Sequence, residues 1–314
     1  MLLTPIRKRV FVPIICAALL ATAVFFISAS AHTEIKIEKD ILFDTRNGIE
    51  LKGDIYVPDG GGPFPGILFI HGGGFVNGTK DGAAHAELVT YFVERGYAVF
   101  NANYRLFKDN GIFPNSIKDA KCALAWMKTD GVKYGVDPGR LATMGESAGA
   151  YLAAMVAMTP DEPDMRPDCP LAKGVDLSVK AGVLFYPPTD FSTFQGGFIN
   201  IMEIEIRRAV NLKTKKQTEE YKKKYSPVTY VNNAPPLFIS YSDPDHTVPT
   251  QQGRELVEKL KKAGRIYDAQ EVSGPGMNHG FILIHPDAPQ SVEAKKRAIA
   301  LLDKYVKNSN KAAK

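Results

Sequence analysis

The chain has 314 residues, of which 39 are Lys or Arg and 34 are Asp or Glu, and 45% are hydrophobic. That apolar share excludes a disordered chain, and the lack of a Gly-X-Y period, long heptad run or internal repeat argues against collagen, coiled coil and solenoid. Three cysteines are too few for a disulfide scaffold or a Cys-based zinc cluster.

Residues 1–31 read as a unit. Arg7, Lys8 and Arg9 precede an uncharged run from Val10 to Ile27, and Ala29-Ser30-Ala31 fits the small-residue pattern of a signal-peptidase site. The expectation is a signal peptide cleaved after Ala31, leaving residues 32–314 exported to a periplasmic or secreted location without stable membrane insertion. The rival is an uncleaved N-terminal anchor, since the run approaches the roughly 20 residues that span a bilayer. Losing these three basic residues leaves 36 basic against 34 acidic, so the net charge drops from +5 to +2. A nucleic-acid partner is therefore not expected. Cys16 leaves with the signal. Export permits a bridge between Cys122 and Cys169, but Cys122 falls in a helix that reads as packed, so two free thiols are expected.

Ile41–Phe43 and Leu51–Val57 read as a hairpin around Asn47-Gly48. Gly66–Ile70 is a continuous apolar run, the mark of a strand buried on both faces. Strands over 97–101, 140–144, 183–186, 237–241 and 267–272 then alternate with helices over 85–95, 116–128, 148–158, 254–263 and 291–306. This predicts an α/β fold with a mostly parallel sheet covered by helices on both faces. Residues 191–226 interrupt the alternation. Their apolar stretch 199–208 and the six lysines of 213–224 read as a helical cap insertion, the lysines forming a solvated helix face.

Gly145-Glu146-Ser147-Ala148-Gly149 lies between a strand and a helix, the context of a G-x-S-x-G nucleophile elbow. Strand 66–70 ends in His71-Gly72-Gly73-Gly74-Phe75, whose glycines leave backbone N–H groups free to face an oxygen. The amides of Gly73, Gly74 and Ala148 are the candidate oxyanion hole. No G-K-[ST] follows, which disfavours a phosphate loop. A serine nucleophile needs a base and an orienting acid, expected at later strand ends in the order Ser, acid, His. His279, in the glycine-bracketed loop Gly274–Gly280, fits the base, and Asp243 and Asp245 compete for the acid. A metal at Asp243, Asp245 and His246 lacks further ligands at suitable spacing, so neither metal nor cofactor is expected. Phe75 and Glu146 are candidates for the substrate pocket. Glu146 also reads as shaping the elbow, Phe75 as packing beneath its loop, and Tyr104-Arg105 as structural. The sequon Asn77-Gly78-Thr79 lies beside the oxyanion loop, where a glycan would obstruct entry, and reads as coincidence.

With these motifs, and with Asn103-Tyr104-Arg105-Leu106, Tyr134-Gly135-Val136-Asp137-Pro138 and His279-Gly280-Phe281, the chain resembles the hormone-sensitive-lipase-like carboxylesterases of the α/β-hydrolase fold. The resemblance is weakest over 160–226. It implies that the acid is the Asp of D-x-x-V-P, here Asp245, with Asp243 bracing the loop. It also implies hydrolysis of a small-molecule ester, with short acyl groups preferred over long-chain triglycerides. Where that family usually reads G-x-S-A-G-G, this chain has Ala150. Export leaves esterified carbohydrate, bearing acetyl or feruloyl groups, as an alternative substrate. A serine peptidase of the same fold is another, though no propeller is present to gate peptides. A non-catalytic binder on this scaffold is a third, disfavoured because all three triad residues are present.

Overall fold

The computed structural model describes residues 34–194 and 197–309, with side chains described for all of these except 197–202. The signal segment proposed for residues 1–31 lies outside them. Strands β1 (Ile35–Arg46) and β2 (Ile49–Pro58) form the expected hairpin. Asn47 and Gly48 both have positive φ, 51° and 81°, as a two-residue turn matched to strand twist requires. β2 pairs antiparallel with β4 (Ala98–Ala102). The remaining strands, β3 (Phe64–Ile70), β5 (Val136–Glu146), β6 (Ala181–Phe185), β7 (Leu237–Ser242) and β8 (Tyr267–Val272), join β4 in parallel, giving the order β1-β2-β4-β3-β5-β6-β7-β8. Ile70 lies opposite Gly145, Gly145 opposite Leu184, and Leu184 opposite Ile239. This register brings the carboxyl ends of β3, β5, β6 and β7 to one edge, where ligands bind in open parallel sheets.

Two apolar layers cover the sheet. Helices α1 (Ala83–Val93), α7 (Phe281–Ile284) and α8 (Pro289–Leu302) pack on one face, and α2 (Asn115–Lys128), α3 (Ala148–Met158) and α6 (Gln251–Lys262) on the other. Every residue of α3 is buried, which explains why its sequence has no polar stripe. Ala150 is fully enclosed within it. Arg105 holds the loop after β4 through a buried two-pronged ion pair to Asp119, at 2.8 and 2.7 Å. Burial pushes the Asp119 carboxyl above its ordinary range, and the guanidinium opposes this. Tyr104 and Arg105 thus make the structural hydrogen bonds expected of them.

The insertion contains α4 (Gly197–Ala209) and α5 (Lys215–Lys224) and no strand among its described residues. Thr214 and Gln217 form a capping box at the start of α5. The Tyr221 hydroxyl donates to the Phe113 carbonyl at 2.8 Å, fastening α5 to the body. Lys213, Lys215, Lys216 and Lys223 are exposed, whereas Lys222 is half-buried and pairs with Glu203 at 2.5 Å.

The cysteines correct the sequence expectation. Cys122 and Cys169 form a disulfide rather than two free thiols, with their Cα atoms 6.1 Å apart. Cys122 is indeed buried in α2. The segment from Pro163 to Ala172 folds back onto that helix, burying Met165, Cys169 and Ala172 against it. Local periodicity carries no signal for such a return. Arg46 closes the cluster with an ion pair to Asp168 at 3.0 Å. Among the described residues, no helix is long and apolar enough to cross a membrane.

Candidate active site

Ser147 stands between β5 and α3 with φ 53° and ψ −124°, a conformation costly for any residue with a Cβ. Its amide donates to the Phe185 carbonyl at 2.9 Å, which holds the strained turn against β6. The tightness of the elbow requires Gly149, where a Cβ would overlap the Ile70 carbonyl. The side chain is thereby left at the sheet edge, where His279 meets it.

His279 Nε2 lies 2.8 Å from Ser147 Oγ, and Nδ1 lies 2.8 Å from Asp245 Oδ2. An ionised carboxylate only accepts, so Nδ1 carries the ring proton and Nε2 accepts from the serine hydroxyl. Asp245 is fixed in turn, because its Oδ1 accepts the amides of Thr247 and Val248 at 2.8 and 2.9 Å. Asp243 turns away, pairing with Arg254 at 2.8 Å and accepting from the Thr250 hydroxyl at 3.2 Å. The bracing position expected for Asp243 is the one observed. Tyr186, which sequence reasoning missed, packs edge-on against the His279 ring at 4.7 Å. Burial, and then the charges of Glu146 and Asp245, push its phenol far above its ordinary range.

The glycine loop is held from behind. Glu146 accepts the Gly72 amide and lies 3.3 Å from His85 Nε2, so its carboxylate braces the glycine loop, a contact the sequence reading of Glu146 as shaping the elbow did not include. His71 is fully buried, stacked on Tyr104 at 4.6 Å, with Nδ1 2.8 Å from the Gly72 carbonyl. Burial pushes its imidazole down to about 4, so it is neutral near pH 7. Gly73 has φ 105°, and a Cβ there would overlap the Asn77 carbonyl. Among the described residues, the Gly73 and Gly74 amides donate to no protein acceptor. They remain available to an oxygen in the cleft, and Ala148 begins α3 on the opposite side of Ser147.

The cleft encloses about 360 Å³ and is lined by Gly73, Gly74, Phe75, Val76, Asn77, Glu146, Ser147, Ala148, Pro188, Phe194, Thr247, Val248 and His279. Every residue expected at the site except Asp245 lines it, and Asp245 stands behind the histidine. Phe75 has two sides, since it also packs edge-on against Phe113 at 5.1 Å and Tyr151 at 5.3 Å. Pro188, Phe194, Thr247 and Val248 were not foreseen as lining. The only hints were Pro187-Pro188 at a strand end and the position of Val248 within D-x-x-V-P. A serine hydrogen-bonded to a histidine, itself oriented by a buried carboxylate, can yield a nucleophile for acyl transfer.

Sheet order, elbow and hydrogen-bonded relay define a protein of the α/β-hydrolase fold. The BD-FAE family model matches residues 53–260, and the chain belongs to that family. It is similar to the probable carboxylic ester hydrolase LipM of Mycobacterium tuberculosis, at 34% identity over 205 residues that cover 65% of this chain and 46% of LipM. The chain spans about half the length of the curated relatives it matches. Among solved structures it is similar to esterase Est2 of Thermogutta terrifontis, at 26% identity and TM-score 0.69, covering 88% of this chain and 93% of that one. Est2 has also been solved with propionate bound and phosphonylated by sarin. A carbohydrate esterase from gut microbiota shares the fold, with TM-score 0.73 at 20% identity over 86% of this chain and 97% of its own.

Proposed function

We propose that this chain is a serine carboxylic-ester hydrolase of the hormone-sensitive-lipase-like, His-Gly-Gly-Gly group, acting on short acyl esters. The observation that carries this reading is the Ser147–His279–Asp245 relay opening onto a cleft that also holds the uncommitted amides of Gly73 and Gly74. Ser147 Oγ attacks the ester carbonyl carbon while His279 Nε2 takes its proton. Asp245 keeps the imidazole in the required tautomer and stabilises the imidazolium. The amides of Gly73, Gly74 and Ala148 receive the negative oxygen of the tetrahedral intermediate, one such donor being worth roughly 10²–10³ in rate. Collapse expels the alcohol, which takes the proton from Nε2. Water then attacks the acyl-enzyme by the same route in reverse and releases the acid.

The lining supports small apolar acyl groups. Phe75, Pro188, Phe194 and Val248 offer apolar surface, and Asn77 and Thr247 add polar atoms. Propionate and butyrate bound in Est2 are in keeping with that size. Residues 1–31 serve as an export signal in this reading, so the mature chain begins at His32. The test is hydrolysis of a p-nitrophenyl acyl series, acetylated xylan and feruloyl esters by wild type and Ser147→Ala. The expected result is a preference for short p-nitrophenyl esters that the variant lacks. Equal rates for the two proteins would contradict it. Selective turnover of the xylan or feruloyl substrates would replace the substrate class but keep the chemistry.

A further inference from the structure

The two loops that supply Asp245 and His279 follow different strands, β7 and β8, and must meet at their tips. The His279 loop turns on Gly274, Gly276 and Gly280, all with positive φ (113°, 78° and 81°), and its own backbone bonds, Met277 to Gly274 and Asn278 to Gly276 at 3.0 Å each, reach only within the loop. Its only deeply buried side chain is Met277. One atom ties the tips together. Asn278 Oδ1 accepts the amide of His246 at 3.1 Å and the amide of His279 at 2.7 Å. The first amide belongs to the residue after the acid, and the second to the base itself. Among the described residues, the only other hydrogen bond between segments 243–249 and 273–280 is the His279–Asp245 bond.

The geometry points to Asn278 as a positioning residue that fixes the separation of Asp245 and His279 by bridging their loops with one side-chain oxygen. The inference rests on the triad reading above. Two N–H groups aimed at one atom demand an acceptor, so the amide must present its oxygen and not its nitrogen. Asn278 is exposed, so its contribution to folding is small and its effect falls on the alignment of the relay. Acyl transfer depends steeply on that alignment, since a shift of about 1 Å costs about 10²-fold. The cleft lining does not include Asn278, so substrate binding is left as it was.

The test compares wild type, Asn278→Ala, Asn278→Asp and Ser147→Ala on p-nitrophenyl butyrate, with a melting curve for each. Asn278→Ala should lower kcat about tenfold while KM stays within about twofold and Tm is essentially unchanged. Asn278→Asp keeps an acceptor oxygen at the same place and should restore kcat to within about threefold of wild type. Undiminished kcat in Asn278→Ala would overturn the inference. So would equal losses in the Ala and Asp variants, or a fall in kcat accompanied by matching changes in KM and Tm. Wild type no faster than Ser147→Ala would instead defeat the triad reading, which keeps the two failures distinct.

Discussion

The Cys122–Cys169 bond closes a loop of 47 residues, and replacing both cysteines by alanine removes that constraint from the unfolded chain. In the chain-entropy model a loop of this length contributes about 4 kcal/mol at 25 °C. The compact unit Thr33–Lys314, at about 2.1 cal/mol/K per residue, has an unfolding entropy of about 0.6 kcal/mol/K near its midpoint. The quotient is a fall in Tm of about 7 °C for Cys122→Ala/Cys169→Ala under non-reducing conditions. Calorimetry at matched pH measures it, with thiol titration of the denatured, unreduced wild type run alongside. Neither cysteine, nor any other residue of α2 or Pro163–Ala172, lines the cleft. Ester hydrolysis at 25 °C should therefore be unchanged. A Tm within about 1 °C of wild type would refute the energetic argument, and two titratable thiols would refute the bond itself.

Glu146→Ala should lower kcat by about 10² with little change in KM, because the Gly72 amide loses its acceptor and the oxyanion loop its brace. Glu146→Gln keeps an acceptor and should lose far less; steady-state kinetics on one ester decides. Phe194→Ala should move the acyl preference towards longer chains, by about fourfold in relative kcat/KM per added methylene at about 0.8 kcal/mol each, read from a p-nitrophenyl series. His71, held at about 4 by burial against an ordinary 6.5, makes a signed contribution to acid stability. The unfolded chain takes up this proton first as pH falls, so the stability is complete above about pH 6.5. It is lost between there and about pH 4, to a total of roughly 3 kcal/mol. Denaturant melts of wild type and His71→Gln across that window should show the shallower pH dependence in the variant.

Much of this molecule could be read from its residues, for reasons that differ by element. The run Gly66–Ile70 and the hairpin at Asn47-Gly48 are local patterns, and each took the expected form because local chemistry decides them. The Ser147 elbow and the His71–Gly74 loop were legible because a strained turn and bare amides admit few residue types. Choosing Asp245 over Asp243 needed the resemblance. The structure gives the physical reason, since the amides of Thr247 and Val248 turn Asp245 towards His279 while Arg254 draws Asp243 outward. What stayed hidden depends on chain return. The approach of Cys169 to Cys122, the place of Tyr186 beside His279 and the lining by Phe194 and Val248 each join segments far apart in sequence. Asn278 belongs with them, since its tie to His246 exists only once β7 and β8 lie side by side.

The proposed chemistry requires Ser147 to be the nucleophile served by His279. Treatment of the protein with a fluorophosphonate, followed by intact-mass and peptide mapping, tests this most directly. One adduct is expected, on Ser147, formed in step with the loss of ester hydrolysis, with no adduct in Ser147→Ala and a labelling rate in His279→Ala at least about 10²-fold slower. Full inhibition with the adduct on another residue, or undiminished hydrolysis by Ser147→Ala, would contradict it.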